Sequence, residues 1–451
     1  MQVFFCSRNQ EQSEDGEMKN FKNRRSYPIL CSLLAIASMF CERAARADEA
    51  PGLRNFFADW TPIADLRLRL EDVNQVPLQD AAKAITLRAR LGFQTAKVWR
   101  TALLAEGNFL IPLDERYRSD PSVLSATQYP VVPDGRDHEL NRLQLLNTAV
   151  PGTTIIFGRQ RVQLDDQRFV GNIGWRQNEQ TLDALRVVNR SFSGLTIDVT
   201  YADRVHRVYA EDSPQGTYTG SMFLGNIAYQ TPIGKLTGFA YLLSFDPLSA
   251  FPGLSATAAA ALNPVLTSTS TYGGRFSGDQ TYGAVKIGYV ASYATQQQRG
   301  GNPYMFENYY YLGELSASIG PVTGVVGDEV MQGNGTIGFA TPLATTHAFD
   351  GWADKFLTTP PNGLENRYAS LAYLCSAAGR FKSLSFKAIY RSFAPQHTAG
   401  DYGSEWDFQV SRKWGRFTPA IVLADYRAAA STPAAIARDT RKLFVLVDFS
   451  L

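Results

Sequence analysis

Little in this sequence can be oxidised and little can hold a metal. Only four of its 451 residues are Cys, and three of these (Cys6, Cys31 and Cys41) lie in the first 47 residues. A chain cleaved there keeps Cys375 alone, with neither an intrachain disulfide nor a cysteine metal site. The four His (His138, His206, His347 and His397) are scattered without metal-ligand spacing. No Gly-x-Ser-x-Gly, no His-Glu-x-x-His and no phosphate-cradling glycine loop occurs, so no catalytic residue, cofactor or metal is expected. Long apolar runs are missing as well. No stretch of about 18 such residues exists to make a membrane helix. Nor is either sign of charge in excess: the formal net charge of +2 does not favour a nucleic-acid partner. What is abundant is aromatic and apolar, with 45% hydrophobic residues, 21 Tyr, 27 Phe and 36 Gly against 19% charged. Such a chain buries enough surface to fold and reads as a Gly- and aromatic-rich β protein.

Residues 18–47 have the order of a secretory signal. Lys19, Lys22, Arg24 and Arg25 precede an apolar stretch of 15 residues, Tyr27 to Cys41, and Ala45-Arg46-Ala47 supplies small residues for cleavage. A buried N-terminal helix is the alternative, but charge, apolar core and small-residue site in that order favour the signal. Residues 1–17 do not suit a signal, and translation is expected to start at Met18. Neither Cys31 nor Cys41 follows a lipobox, which argues against a lipoprotein. Taking the seven Lys/Arg and five Asp/Glu of residues 1–47 from totals of 44 and 42 leaves 37 of each, and the 37 cations are 28 Arg and 9 Lys. Arg offers a rigid fork of donors for carboxylate or phosphate, although a GC-rich genome gives the same bias. Residues 48–59 are expected to form a short periplasmic segment ahead of the main domain, 60–451.

Beyond Trp60 the sequence alternates with period 2. Leu66, Leu68 and Leu70 alternate with Asp65, Arg67, Arg69 and Glu71; Leu87, Ala89, Leu91 and Phe93 alternate with Thr86, Arg88, Arg90 and Gln94. The same pattern recurs in Leu195–Ala202 and Leu384–Arg391. Alternation puts one set of side chains on each face of a strand. The segments run about 9–11 residues, enough to cross a bilayer as tilted strands. Turn signals such as Pro151-Gly152, Ser193-Gly194, Gly320-Pro321 and Gly415-Arg416 separate them. The expected fold is therefore all-β, a transmembrane antiparallel β-barrel of about 18 strands in a Gram-negative outer membrane. A water-soluble β-sandwich would also alternate; the signal, the strand length and the unbroken hairpins argue against it. Trp60, Trp99, Tyr201, Tyr289, Tyr293, Tyr309, Tyr311, Trp406 and Trp414 fall near strand ends, as interfacial girdles require. The last ten residues place Leu443, Val445, Val447, Phe449 and Leu451 on one face, suiting a closing strand. Barrels of this class usually end in Phe; this chain ends Phe449-Ser450-Leu451.

Two segments stand out. Residues 158–187 read GRQRVQLDDQRFVGNIGWRQNEQTLDALRV, and residues 344–373 read ATTHAFDGWADKFLTTPPNGLENRYASLAY. With the strand pattern from Trp60 to Leu451 they resemble the alginate export family of outer-membrane barrels, although Leu182 stands where that pattern has Phe. The resemblance implies an 18-stranded barrel with a charged conduit for an anionic polysaccharide, in a family that also holds porin-like members of unknown cargo.

Read on its own, the first segment holds Arg159, Arg161, Asp165, Asp166, Arg168, Arg176, Glu179, Asp183 and Arg186. Charge of that density at bilayer depth needs a water-filled lumen, because a midplane Arg facing lipid costs about 2–4 kcal/mol. Arg159 and Arg161 are expected on one face of a strand Thr153–Arg161, with Asp165, Glu179 and Asp183 presenting the guanidinium groups to the lumen. Arg88, Arg90 and Arg142 from neighbouring strands would join them and Arg168 as the positive side of a constriction. The same charges could instead only brace the wall. In the second segment a long loop or inward plug is expected near 340–363, anchored by Trp352 and Phe356, with Asp354 and Lys355 facing water; another long loop is expected near 247–270. The partners implied are outer-membrane lipid, an anionic small solute or polysaccharide, and a periplasmic export partner. A barrel enzyme and a structural barrel with a plugged lumen are the alternatives.

Overall fold

The computed structural model describes residues 59–451 except 123–124, 249–258, 260–261, 376–378, 380 and 435. The expected signal, the start at Met18, nearly all of the 48–59 segment and half of the 247–270 loop lie outside the described residues.

Alternation closes into a ring. Eighteen antiparallel strands follow in chain order: β1 Thr61–Gln75, β2 Ala82–Gln94, β3 Thr101–Arg116, β4 Asp137–Asn147, β5 Thr153–Gln160, β6 Thr181–Asn189, β7 Leu195–His206, β8 Thr217–Thr231, β9 Gly234–Phe245, β10 Thr269–Tyr282, β11 Val285–Gln298, β12 Glu307–Ile319, β13 Val322–Met331, β14 Leu364–Leu374, β15 Leu384–Ala394, β16 Gly403–Arg412, β17 Phe417–Arg427 and β18 Thr440–Ser450. Each pairs with its neighbours in sequence, and β18 closes on β1 in a register from Asp65 opposite Ser450 to Gln75 opposite Thr440. Closure leaves no row of unpaired backbone groups, which hydrocarbon would not tolerate. Strand lengths vary from 8 residues in β5 to 16 in β3, more than the expected 9–11. The longer strands continue beyond the apolar belt, as where β3 ends Asp114-Glu115-Arg116.

Rows of directly paired residues show the two faces. Val447, Leu68, Leu87 and Ile111 occupy one row across β18, β1, β2 and β3, and all four are exposed on the outer wall. The next row inward reads Asp448, Arg67, Arg88 and Leu110, with Arg88 and Leu110 buried. Short turns, both strand-bearing termini, and exposed Trp99 and Trp414 gather at one end, while the connections 117–136, 161–180 and 332–363 extend from the other.

The outer row gives a direct test. Val445→Arg should lower folding stability by about 2–4 kcal/mol, whereas Gln409→Arg, on the opposite face of its strand from exposed Phe408 and Val410, should change it little. Urea titration read by heat-modifiable gel migration measures both; a larger loss for Gln409→Arg would mean the faces are assigned the wrong way round, and equal losses that Val445 does not face lipid.

Candidate functional site in the barrel interior

Two of the long connections fold back inside. The segment 161–180 reaches β1 and β2 through Arg176 and Gln177, and reaches β8, β10 and β13 through Asp165, Asp166 and Arg168. Because β1 and β10 stand on opposite sides of an 18-stranded ring, the segment crosses the interior. The segment 332–363 meets it there. Gly171 N–H donates to Leu343 O (2.8 Å), Thr345 N–H to Gln167 O (3.1 Å), and Gln180 Nε2 to Leu343 O (3.0 Å). Trp175 and His347 stack with centroids 3.3 Å apart. The two segments singled out by their sequences are thus joined in space.

Arginines of the wall hold the first segment by its backbone. Arg67 Nη1 donates to the carbonyls of Gly174 (3.2 Å) and Trp175 (3.0 Å), Arg69 Nη1 to that of Trp175 (2.8 Å), and Arg90 Nη2 to that of Gln177 (3.1 Å). Arg67 also pairs with Asp448 (2.5 Å), and Arg69 with Glu71 (3.3 Å) and Asp134. Arg88 sits directly opposite Arg67 and is tied to Asp65; among the described residues its shielded Nε and Nη1 have no hydrogen-bond partner. Like charges directly across a strand pair are destabilising, so this basic face of β1 and β2 is held at a cost.

A second node is acidic at its centre. Glu179 takes Arg161 (2.5 Å), Arg90 (3.4 Å), Asn141 (2.6 Å) and Asn172 (2.7 Å). Glu106 takes Arg142 (2.6 Å) and Arg161 (3.2 Å). Of these side chains Arg161 is the most open, at 28% exposure, followed by Arg142 at 15%.

The remaining expected residues lie elsewhere. Arg159 and Arg161 do not share a face: β5 ends at Gln160, and Arg159 pairs opposite Asp183 and the exposed Leu143. Arg159 bonds Asp183 (2.9 Å), which also meets His206 (3.0 Å). Arg168 is no part of the basic face. It is buried across the interior between Glu329 (2.5 Å) and Asp350 (3.2 Å). Asp165 pairs with Lys235 (3.0 Å) and Asn226 (2.7 Å), and Asp166 with Arg275 (2.8 Å). Outside the spanning strands, burial pushes the Asp350 carboxyl upward.

Trp352 and Phe356 are buried, the latter against Phe393, Tyr402 and Tyr426. Contrary to expectation, Asp354 and Lys355 do not face water. Asp354 binds Lys442 (2.5 Å), His347 (2.7 Å) and Arg176 (2.9 Å), while Arg176 also binds Glu71 (3.0 Å). Burial would raise the Asp354 carboxyl, but Lys442, His347 and Arg176 outweigh it and hold the group well below the usual range. Lys355 lies over the Tyr426 ring and donates to Thr440 Oγ1 (3.3 Å); burial pushes its ammonium down to about 8. Gly351 makes this approach feasible: its φ is +93°, and a Cβ there would stand 2.6 Å from Glu405 Oε2.

Arg67, Arg69, Glu71, Glu106, Asn141, Glu329 and Lys442 were not singled out in the sequence. Arg67 and Arg69 had the same signal as Arg88 and Arg90, a polar set alternating with leucines. Lys442 had it as well, on the face opposite Leu443 and Val445, whereas Glu329 had none, since its partner Arg168 is distant in sequence. Among the described residues, no cluster of three or more His, Cys, Asp or Glu side chains could hold a metal.

Neither a family model nor a curated protein matches the chain. Solved structures do. Pseudomonas aeruginosa OpdK, solved with vanillate, aligns with a TM-score of 0.65 at 14% identity over 88% of this chain and 99% of that one. OpdO of the same organism aligns at 0.65 and 14% identity over 89% and 99%, and OpdQ at 0.64 and 13% over 88% and 99%. OpdK is an outer membrane protein; at these identities the likeness is one of fold, the closed 18-stranded barrel.

Asp354 is the tie most open to test. Its folded-state pKa is depressed, so its contribution is full above the ordinary value of about 3.9 and is lost as pH falls toward the lowered one. Asp354→Asn should cost about 3–5 kcal/mol at pH 7, nearer the lower end because Glu71 still faces Arg176 and Lys442. Below about pH 4 the gap from wild type should shrink by about 1.4 kcal/mol per pH unit. Urea titrations at pH 7 and pH 3 measure it; an equal gap at both would show that folding does not hold the carboxyl below its ordinary value.

Proposed function

We propose that this barrel is a non-enzymatic outer-membrane conduit for small anionic solutes, with carboxylates as the favoured class. The observation that carries the reading is the basic face of β1 and β2: Arg67 and Arg88 directly opposite one another, Arg90 next to Arg88 on the same face of β2, and two Arg88 nitrogens without a hydrogen-bond partner among the described residues. Guanidinium N–H groups bind carboxylate strongly and with directional fit. A site of this kind conducts when it draws an anion in and still lets it leave, and the carboxylates of Asp65 and Asp448 beside these arginines provide the competition that loosens binding. Outer-membrane placement is supported by the exposed apolar row on the wall and by the fold shared with OpdK. That OpdK was solved with vanillate, a small carboxylate, agrees with the solute class.

A polysaccharide such as alginate, implied by the resemblance of residues 158–187 and 344–373, is the less favoured cargo. Two segments bonded to each other across the interior suit a small solute better than a threading polymer.

Arg88→Gln is the informative variant because Arg88 bonds Asp65 and none of the segment 161–180. In planar bilayers the wild type should carry steady current with anions favoured over cations. The variant should keep the current and lose a severalfold part of that preference, read as reversal potential in a salt gradient. No current from folded wild type would favour the plugged structural barrel, and an unchanged reversal potential would show that Arg88 does not meet permeating ions.

A further inference from the structure

The two ends of the barrel treat exposed charge differently. At the long-connection end the arginines are paired: Arg116 with Asp114, Arg367 with Glu365, and Arg427 and Arg441 with Asp425. At the short-turn end they are not. Lys97 and Arg100 stand in the turn between β2 and β3, and Lys413 and Arg416 in the turn between β16 and β17; all four are exposed. Among the described residues none of the four takes part in an ion pair or a side-chain hydrogen bond. Asp65 and Asp448, the nearest carboxylates of the wall, face inward and are held by Arg88 and Arg67. That leaves Asp59 as the one uncommitted side-chain acid near these turns among the described residues.

The turns are built to present these groups. Val98 and Thr101 exchange both backbone hydrogen bonds (2.9 Å each), so Trp99 and Arg100 alone form the tip, at φ +49° and +61°. A two-residue hairpin with both positions left-handed is ordinarily filled by Asn-Gly, because a Cβ is disfavoured there. Trp and Arg at this tip carry a conformational cost that reversing the chain does not require, and such strain collects where side chains are used. In the other turn Trp414 and Phe417 exchange their bonds (2.8 and 3.0 Å), Gly415 takes the left-handed position at φ +59°, and Arg416 follows it. Each turn therefore sets one tryptophan among two cations. Trp99 and Trp414 are exposed at 68% and 70%.

The wall between the turns is aromatic at the same level. Phe417 and Phe449 pack with centroids 5.2 Å apart, and Trp60 and Phe93 with centroids 6.2 Å apart. Exposed indole rings of a membrane barrel lie at headgroup level, and short turns of this class face the periplasm. Four strand spacings separate the two turns, roughly 19 Å, too far for one phosphate to bridge them. A phosphate beside either tryptophan meets two uncommitted cations, whereas the ammonium of a zwitterionic headgroup would be repelled by the same pair. We propose that these two turns bind anionic phospholipid of the periplasmic leaflet, one headgroup phosphate to each turn. The proposal rests on the barrel standing in an outer membrane and is independent of what the lumen passes.

The test uses the full-length barrel in detergent, with dioleoylphosphatidylglycerol as the probe, dioleoylphosphatidylethanolamine as the comparison, and native mass spectrometry as the readout. A Lys or Arg near the membrane surface favours an anionic lipid by about fivefold. Wild type, with two such residues to each headgroup, should retain phosphatidylglycerol roughly tenfold better than phosphatidylethanolamine. Lys97→Gln, Arg100→Gln, Lys413→Gln and Arg416→Gln together should abolish that preference. Trp99→Asn with Arg100→Gly supplies the residues that the first turn's geometry favours. This variant should raise the urea midpoint of unfolding while one of the two phosphatidylglycerol molecules is lost. Heat-modifiable migration confirms that each variant is folded, and reversal potential in planar bilayers reads the conduit, so failure of the lipid site and failure of the conduit are distinguished. The proposal is overturned if the two lipids are retained alike, if the fourfold variant keeps the wild-type preference, or if the Asn-Gly turn retains phosphatidylglycerol as wild type does. It is overturned as well if the fourfold variant shifts the reversal potential and leaves lipid retention unchanged, which would make these turns a funnel for permeating anions.

Discussion

Everything in this molecule follows from the intolerance of hydrocarbon for an unpaired polar group. Closure of β18 on β1 satisfies the backbone. Alternation then sends every second side chain inward, and the interior must absorb the charge that the outer wall cannot carry. A bare interior of arginines would be unstable, so the chain supplies acids and carbonyls to meet them. The segments 161–180 and 332–363 are therefore better seen as the counter-surface that the charged wall requires than as loops that happen to lie inside.

That dependence explains how the site is built. Arg67, Arg69 and Arg90 grip main-chain carbonyls between Gly174 and Gln177, so the backbone of the segment is positioned without depending on its side chains. Glu179 and Asp354 do the converse, each collecting cations from more than one element. A buried carboxylate with three charged partners is stable only while all of them are present. The interior network is consequently cooperative: Arg176 links Glu71 on β1 to Asp354 in the second segment, and loosening one end loosens the other.

The fold was legible because period-2 alternation is a local signal repeated many times. The pattern in Asp65–Glu71 and Ile85–Gln94 carries its own register, and the strands that formed there contain both. The ends of strands were less legible. β5 stops at Gln160 where the alternation could have run one residue further, and that single residue separates Arg161 from the face of Arg159. The interior was legible as a place for charge but not as a set of pairs. Composition shows that 158–187 must avoid lipid, yet nothing local indicates that Arg168 would cross to Glu329, or that Asp354 would meet Lys442 some ninety residues later. Those partners are chosen by the closure of the ring, which brings together residues that no sequence window contains.

An arginine has more donors than any one partner can use, so bracing and the proposed selectivity can fall to different arginines of the same wall. Arg67 gives Nε to Asp448 and Nη1 to backbone carbonyls, whereas Arg88 gives one nitrogen to Asp65 and leaves two others without a partner among the described residues. The same row thus holds a guanidinium committed to structure beside one with donors to spare. Bracing and the proposed anion attraction are not rival roles for this wall. The braced arginines hold the segment against this wall, and the repulsion between the opposed pair, costly in the resting barrel, is on the proposed conduit reading what a carboxylate would relieve.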